Sequence, residues 1–298
     1  MEGMGPLLCF LSAAGFGAMA IFGKLAYGAG VQVDDLLLLR FALAAVLLLA
    51  VAGVSGALQG LTRRSVLAGL GMGAIGYATQ SGLYFAALER MDASLLALIL
   101  YVYPALVLVG AVALGRERAT GRRVGALVIA LVGTALVLTG AVSGSLDPLG
   151  TVLGFGAALA YTAYILTGAR VGAGVPPVAL SGLVCVGATV TFALASIVRG
   201  GPELNFGADG WLAVGAIAAV STVGAILCFF AGMARVGPSA ASILSTLEPV
   251  VTVVLAAAAF GESLAPAQLV GGALVLSAVV VMQWPATRAS RTEVLVAP

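Results

Sequence analysis

The feature that most constrains this chain is where its charges are missing. Nine stretches contain no Asp, Glu, Lys or Arg: 3–23, 41–62, 65–88, 93–115, 124–146, 148–169, 171–198, 210–234 and 263–287. A tenth, 238–260, is interrupted only by Glu248. A bilayer core about 30 Å thick needs ~20 mostly apolar residues per crossing helix. The spacing therefore predicts ten crossings joined by short loops. Composition agrees: 61% of the residues are hydrophobic and 9% charged, against about 25% charged in a soluble domain. So few polar side chains cannot cover a water-facing surface, and so apolar a chain is no disordered polymer. A net charge of +2 gives no field for holding a nucleic acid.

The apolar runs lack the in–out alternation of barrel strands. The fold class expected is an all-α integral membrane protein, because a helix satisfies its own backbone in lipid. The first run reads as a retained helix. Residues 1–5 carry no Lys or Arg, and the apolar stretch exceeds the ~7–15 residues of a signal peptide. Cys9, Cys185 and Cys228 fall inside spans without CxxC spacing, and there is no His. Disulfides, metal sites and cofactors are not expected; each Cys reads as a small packing residue.

Ten of the Lys and Arg residues fall on the side of the termini: Arg63, Arg64, Arg116, Arg118, Arg122, Arg123, Arg170, Arg235, Arg288 and Arg291. Lys24, Arg90 and Arg199 fall opposite, and Arg40 lies within the second span. This bias places both termini in the cytoplasm. The halves also match at an offset of 145–146 residues. Tyr103-Pro104 falls on Glu248-Pro249, Glu117 on Glu262, Ser94 on Ser239, Arg90 on Arg235 and Lys24 on Arg170. Five crossings per half is an odd number, so the second half runs inverted, an arrangement typical of transporters. Expected domains are a first repeat over 6–142, an inverted second repeat over 148–286, and a cytoplasmic tail over 287–298.

The chain resembles the drug/metabolite transporter superfamily in its ten-helix form with two EamA-type domains. The resemblance rests on Gly15-Phe16-Gly17, Lys24, Arg40-Phe41, Leu247-Glu248-Pro249 and Gly261-Glu262, and covers residues ~7–285. The sequence departs from the repeat where Tyr103 stands opposite Glu248, and where Gly115-Arg116-Glu117 replaces a plain Gly-Glu. One embedded carboxylate remains.

That carboxylate, Glu248, sits near the middle of its span, where a charge costs at least ~2.5–3.5 kcal/mol. Three roles stay open for it: holding a substrate ammonium, carrying a coupling proton, or locking helices together. Pro104 and Pro249 each free the carbonyl four residues earlier, on Leu100 and Ser245, and predict helix bends. Tyr77, Gln80, Ser81 and Tyr84 follow i, i+3, i+4, i+7 spacing and share one helical face. Span four adds Ser94, Tyr101 and Tyr103. Span six adds Tyr161 and Tyr164. Span nine adds Ser242, Ser245, Thr246 and Thr252. These faces are expected to wall a cavity for a small amphipathic solute; interhelical hydrogen bonding is the competing reading. For Arg40, snorkelling to the interface is the first expectation, ahead of pairing with Glu248 or binding a substrate carboxylate. Residues 71–76 match GxGxxG, but inside a span the glycines read as close helix packing rather than dinucleotide binding. Gly125, Gly133, Gly271 and Gly272 read the same way.

The expected function is a secondary transporter, with no Walker A motif to supply ATP hydrolysis, and not an enzyme. One five-helix half would rock against the other. The resemblance implies similarity to bacterial inner-membrane exporters of amino acids and related metabolites. The tyrosines favour aromatic or large neutral amino acids. Expected partners are that small-molecule substrate, the bilayer and, for coupling, protons. An exporter of drugs or of metabolites such as nucleobases is the alternative. A membrane-embedded enzyme or lipid-handling protein is the alternative of another class; it would need a nucleophile, a metal cluster or paired acids, and with no His and a single mid-membrane acid general acid/base chemistry has few candidates.

Overall fold

The structure is a computed structural model and describes residues 3–88, 90, 93–139, 147–260 and 265–283. The expected tail over 287–298, Glu262 and the cationic Arg288 and Arg291 lie outside them. Among the described residues every regular element is helical. They are α1 (Met4–Gly28), α2 (Val33–Val54), α3 (63–88), α4 (93–113), α5 (Gly121–Thr139), α6 (Pro148–Val171), α7 (Pro177–Val198), α8 (Ala208–Val236), α9 (238–260) and α10 (Pro266–Gln283). Eight are long and apolar enough to cross a membrane, and Pro266–Met282 is a shorter apolar helix. The surface is that of a protein in lipid: Val46, Ile75 and Leu212 stand 67%, 71% and 72% exposed. Serines, threonines and Arg40 are buried inside.

Charge-free runs misplace one helix. The second span, expected over 41–62, is Val33–Val54. Asp34 and Asp35 lie in its first turn, where carboxylates complement the positive helix end. A charge therefore starts this helix rather than bounding it. Asp34 also pairs with Arg199, just beyond α7. Thr62 caps α3 by accepting from the Ser65 N–H, and Asp147 caps α6 by accepting from that of Gly150.

Four helices deviate from regular α geometry, in two matched pairs. α3 widens to a π-helix over Met72–Tyr77 and α8 over Ile217–Gly224, so the two starts are 145 residues apart. α4 breaks between Leu100 and Tyr103, and α9 tightens to 3₁₀ over Ser245–Leu247. Pro104 and Pro249 each sit second in the helix that resumes, after Tyr103 and Glu248. There the ring costs no backbone bond, because first-turn N–H groups have no partner within the helix.

Packing follows the same exchange. α2 lies along α7 and α5 along α10; α1 packs on α8 and α9, while α6 packs on α3 and α4. Exchanging each helix with the one five places on maps this pattern onto itself. The sequence halves therefore do not form two separate bundles, because the first helix of each is set among the third and fourth of the other. The α3–α7 crossing is backbone on backbone. A Cβ on Gly73 would lie 2.0 Å from the Val184 carbonyl oxygen, and one on Gly187 would lie 2.1 Å from that of Leu70. Gly133 and Gly271 fit α5 to α10 in the same manner, whereas Gly125 faces open space and Gly272 makes only ordinary contact.

Candidate functional site

The breaks in α4 and α9 and the last residue of the α3 π-segment, Tyr77, border a central cavity of about 200 Å³. Its wall comes from α1, α2, α3, α4, α6, α8 and α9. Of the residues singled out in the sequence, Arg40, Tyr77, Gln80, Ser81, Tyr84, Tyr101, Tyr103, Tyr161, Tyr164 and Glu248 all line it. Ser245 does not: it is buried, and its hydroxyl donates to the Ala241 carbonyl. Ser242 and Thr246 likewise donate to carbonyls of their own helix, those of Ser239 and Ile243. Short hydroxyl side chains next to a helix break satisfy themselves locally, so a shared helical face did not make them cavity residues. Thr252 reaches the Glu248 and Gly17 carbonyls instead. The side chain of Ser94 lies outside the described part.

The tyrosines form one connected wall. Ring centroids lie 5.7 Å apart for Tyr77–Tyr164, 6.2 Å for Tyr164–Tyr161, 4.6 Å for Tyr161–Tyr103 and 6.0 Å for Tyr103–Tyr101. Separations of 4.5–7 Å are those of attractive ring pairs. Tyr101 and Glu248 stand in the same wall. Glu248 opens the second segment of α9, and α1 is pressed against it there. A Cβ on Gly17 would lie 2.9 Å from the Glu248 carbonyl oxygen. That contact gives the Gly15-Phe16-Gly17 motif a physical meaning: glycine lets α1 reach the bend that carries the acid.

Arg40 corrects an expectation. It does not snorkel; it is 6% exposed and turned into the cavity wall. One guanidinium nitrogen donates to the Tyr77 hydroxyl at 2.9 Å and another meets the Met19 sulfur at 2.8 Å. The carbon of the guanidinium stands 4.4 Å from the Phe41 ring centroid, within cation–π range. Its Nε is buried without a partner. No ion pair joins Arg40 to a carboxylate among the described residues, Glu248 included. These neutral partners hold the guanidinium in place without a direct ion pair.

Phe16, Met19, Leu37, Leu100, Ile226 and Phe229 also line the cavity, and sequence reasoning passed over them as apolar. The 145-residue offset would have found four. Phe16 matches Tyr161, Met19 matches Tyr164, Ile226 matches Ser81 and Phe229 matches Tyr84, and Tyr103 matches Glu248. The cavity thus lies where the repeats meet, and only its chemistry is lopsided: Arg40 has Cys185 as its counterpart, and Glu248 has Tyr103.

Residues 3–139 and 148–284 each match the EamA-like transporter family. The chain belongs to that family. Its matched repeats cover nearly the whole chain, so this EamA-like transporter is a multi-pass membrane protein with two family units in tandem. A solved structure titled "Crystal structure of protein" superposes with a TM-score of 0.80 over 95% of this chain and 98% of that one, at 21% identity. It shares the fold of the EamA-like transporter. No curated protein sequence matches.

Proposed function

We propose that this transporter exports amino acids, aromatic and large neutral ones first, from the cytoplasm across a bacterial inner membrane by alternating access. The observation that carries the reading is the pairing of opposite charges in one small cavity. Among the described residues Arg40 is buried without an ion pair, and Glu248 stands in the same wall without bonding to it. A buried guanidinium without an ion pair is costly, and a substrate carboxylate would relieve that cost. Glu248 supplies the complementary acceptor for an α-ammonium, and the tyrosine wall supplies ring faces for an apolar side chain. The positive-inside bias supports cytoplasmic termini, and the repeats support an inverted arrangement. Because α1 and α6 are set into the opposite halves, the bodies that rock draw helices from both repeats.

Purified protein in liposomes is expected to take up labelled phenylalanine. Unlabelled phenylalanine should compete, while phenethylamine, which lacks the carboxylate, and 3-phenylpropionate, which lacks the ammonium, should each compete at least ~10-fold less well, by loss of a charge-assisted contact. Equal competition by all three would overturn the two-charge reading. Uptake of nucleobases or cationic drugs with none of amino acids would replace the substrate class.

A further inference from the structure

A second set of contacts lies away from the cavity, on the arginine-rich face. The loop between α4 and α5 belongs to the first repeat, yet it is tied to the second at two points. Arg116 donates to the Leu166 carbonyl of α6 at 2.8 Å. Glu117, whose side chain is 8% exposed, pairs with Arg123 at 2.8 Å through Oε2. Its Oε1 accepts from the backbone N–H of Ser239 in α9 at 3.4 Å. The fit at that point is close. Gly237 holds φ +84°, and a Cβ there would lie 2.5 Å from the same Oε1. A side chain at position 237 would occupy the place of the carboxylate.

Behind these contacts lies a vestibule. A cavity of about 610 Å³ is lined by Arg116, Glu117 and Arg170, and one of about 300 Å³ by Phe230 and Met233; both touch Ala169, Ala173, Gly237 and Pro238. Neither shares a residue with the central cavity. Tyr164 on the central side meets Phe230 on the vestibule side at 6.1 Å between ring centroids.

We propose that Glu117 is the latch of the arginine-rich side: its carboxylate, held by Arg123, fastens α9 to the α4–α5 loop and keeps the vestibule apart from the central cavity. Release of Glu117 from Ser239 frees the start of α9 to move away from α4 and α6. The Tyr164–Phe230 contact then parts, and substrate passes. The latch rests on the alternating-access part of the reading above and not on the identity of the substrate. Glu117 does not line the central cavity; it acts by positioning α9.

The experiment reads opening directly. Cys9, Cys185 and Cys228 are replaced by alanine, and Met233→Cys serves as a buried reporter in the vestibule. A membrane-impermeant maleimide is applied from the arginine-rich face of oriented proteoliposomes. Glu117→Gln is expected to raise the labelling rate about tenfold, and Arg123→Gln about threefold, as charge-assisted contacts are lost. Arg63→Gln, a cation of the same face outside the latch, leaves the rate unchanged. Arg123 lies in the first turn of α5 with its side chain 23% exposed, and it decides the question if Glu117→Gln fails to fold. Labelling within twofold of the parent in the folded variants overturns the latch. If labelling rises while the liposomes carry no amino acid, the latch stands and the substrate reading falls. If amino acids are carried and labelling stays flat, the latch alone falls.

Discussion

Glu248→Gln is expected to lower kcat/KM for phenylalanine by about 10- to 100-fold, because an ionic hydrogen bond is worth ~1.5–3 kcal/mol. Glutamine keeps the shape of the side chain, so the helix bend is retained and the loss reports charge. The loss should be selective. Competition by phenethylamine, already weak, should weaken further, whereas 3-phenylpropionate, which presents no ammonium, should be nearly unaffected. Arg40→Met should give the mirror image, with 3-phenylpropionate losing and phenethylamine spared. Methionine fills a comparable volume beside Met19 and Phe41 and removes a buried charge, so Arg40→Met should fold at least as stably as the parent. Transport assays with a pH gradient separate the remaining roles of Glu248. A Glu248→Gln protein that carries phenylalanine within twofold of the parent, with the same pH dependence, makes the acid a helix lock. One that exchanges phenylalanine but no longer responds to the gradient makes it the proton carrier.

What the sequence disclosed depended on how local each signal is. Membrane class and most of the spans follow from charge-free length, which lipid enforces on each span independently; among the described residues eight helices are long and apolar enough to cross, and 63–88 is not one of them. The repeat was visible because Pro104 and Pro249, or Ser94 and Ser239, keep their spacing whatever surrounds them. Cavity lining was legible for the tyrosine stripe on α3, where four polar groups share one face of an apolar helix. It failed for Ser245, whose hydroxyl turns back to its own backbone, a choice made by local geometry and not by spacing. It failed for Arg40 in another way. Nothing near it in the chain announces that Met19 and Tyr77 come from α1 and α3 to hold it inside. The interleaving of the repeats was illegible for the same reason, since the partners of α1 lie some 200 residues away in α8 and α9. Glu117 was noticed as a departure from the repeat, but its use depends on Gly237, which no spacing rule connects to it.

Gly73→Val is expected to abolish the folded protein, and the α3–α7 crossing explains why. A new Cβ would stand 2.0 Å from the Val184 carbonyl oxygen and 2.8 Å from the Ala188 nitrogen. Both are backbone atoms, so no rotamer change relieves the clash. Relief requires separating the helices, which also breaks the bond from Thr191 to the Ala74 carbonyl at 2.9 Å. Inserted volume costs 1–3 kcal/mol where side chains can give way; here about 3 kcal/mol is the lower end. Gly187→Val should fail alike, because position 187 meets the Leu70 carbonyl at 2.1 Å. The pair should not be additive, because either change alone already parts the same two helices. Gly125→Val serves as the control; a Cβ there meets nothing within 4 Å. Thermal unfolding in detergent should place Gly125→Val within a few degrees of the parent, with Gly73→Val and Gly187→Val unfolded or aggregated on size exclusion. Smaller changes extend the argument to function. Tyr77 follows Gly73 by one turn in the π-helical segment and holds Arg40. Gly73→Ala, if enough protein folds to assay, should therefore move Tyr77 away from Arg40 and raise KM for phenylalanine more than it lowers kcat. An unchanged Tm and KM in Gly73→Ala would show that α3 and α7 do not cross backbone to backbone.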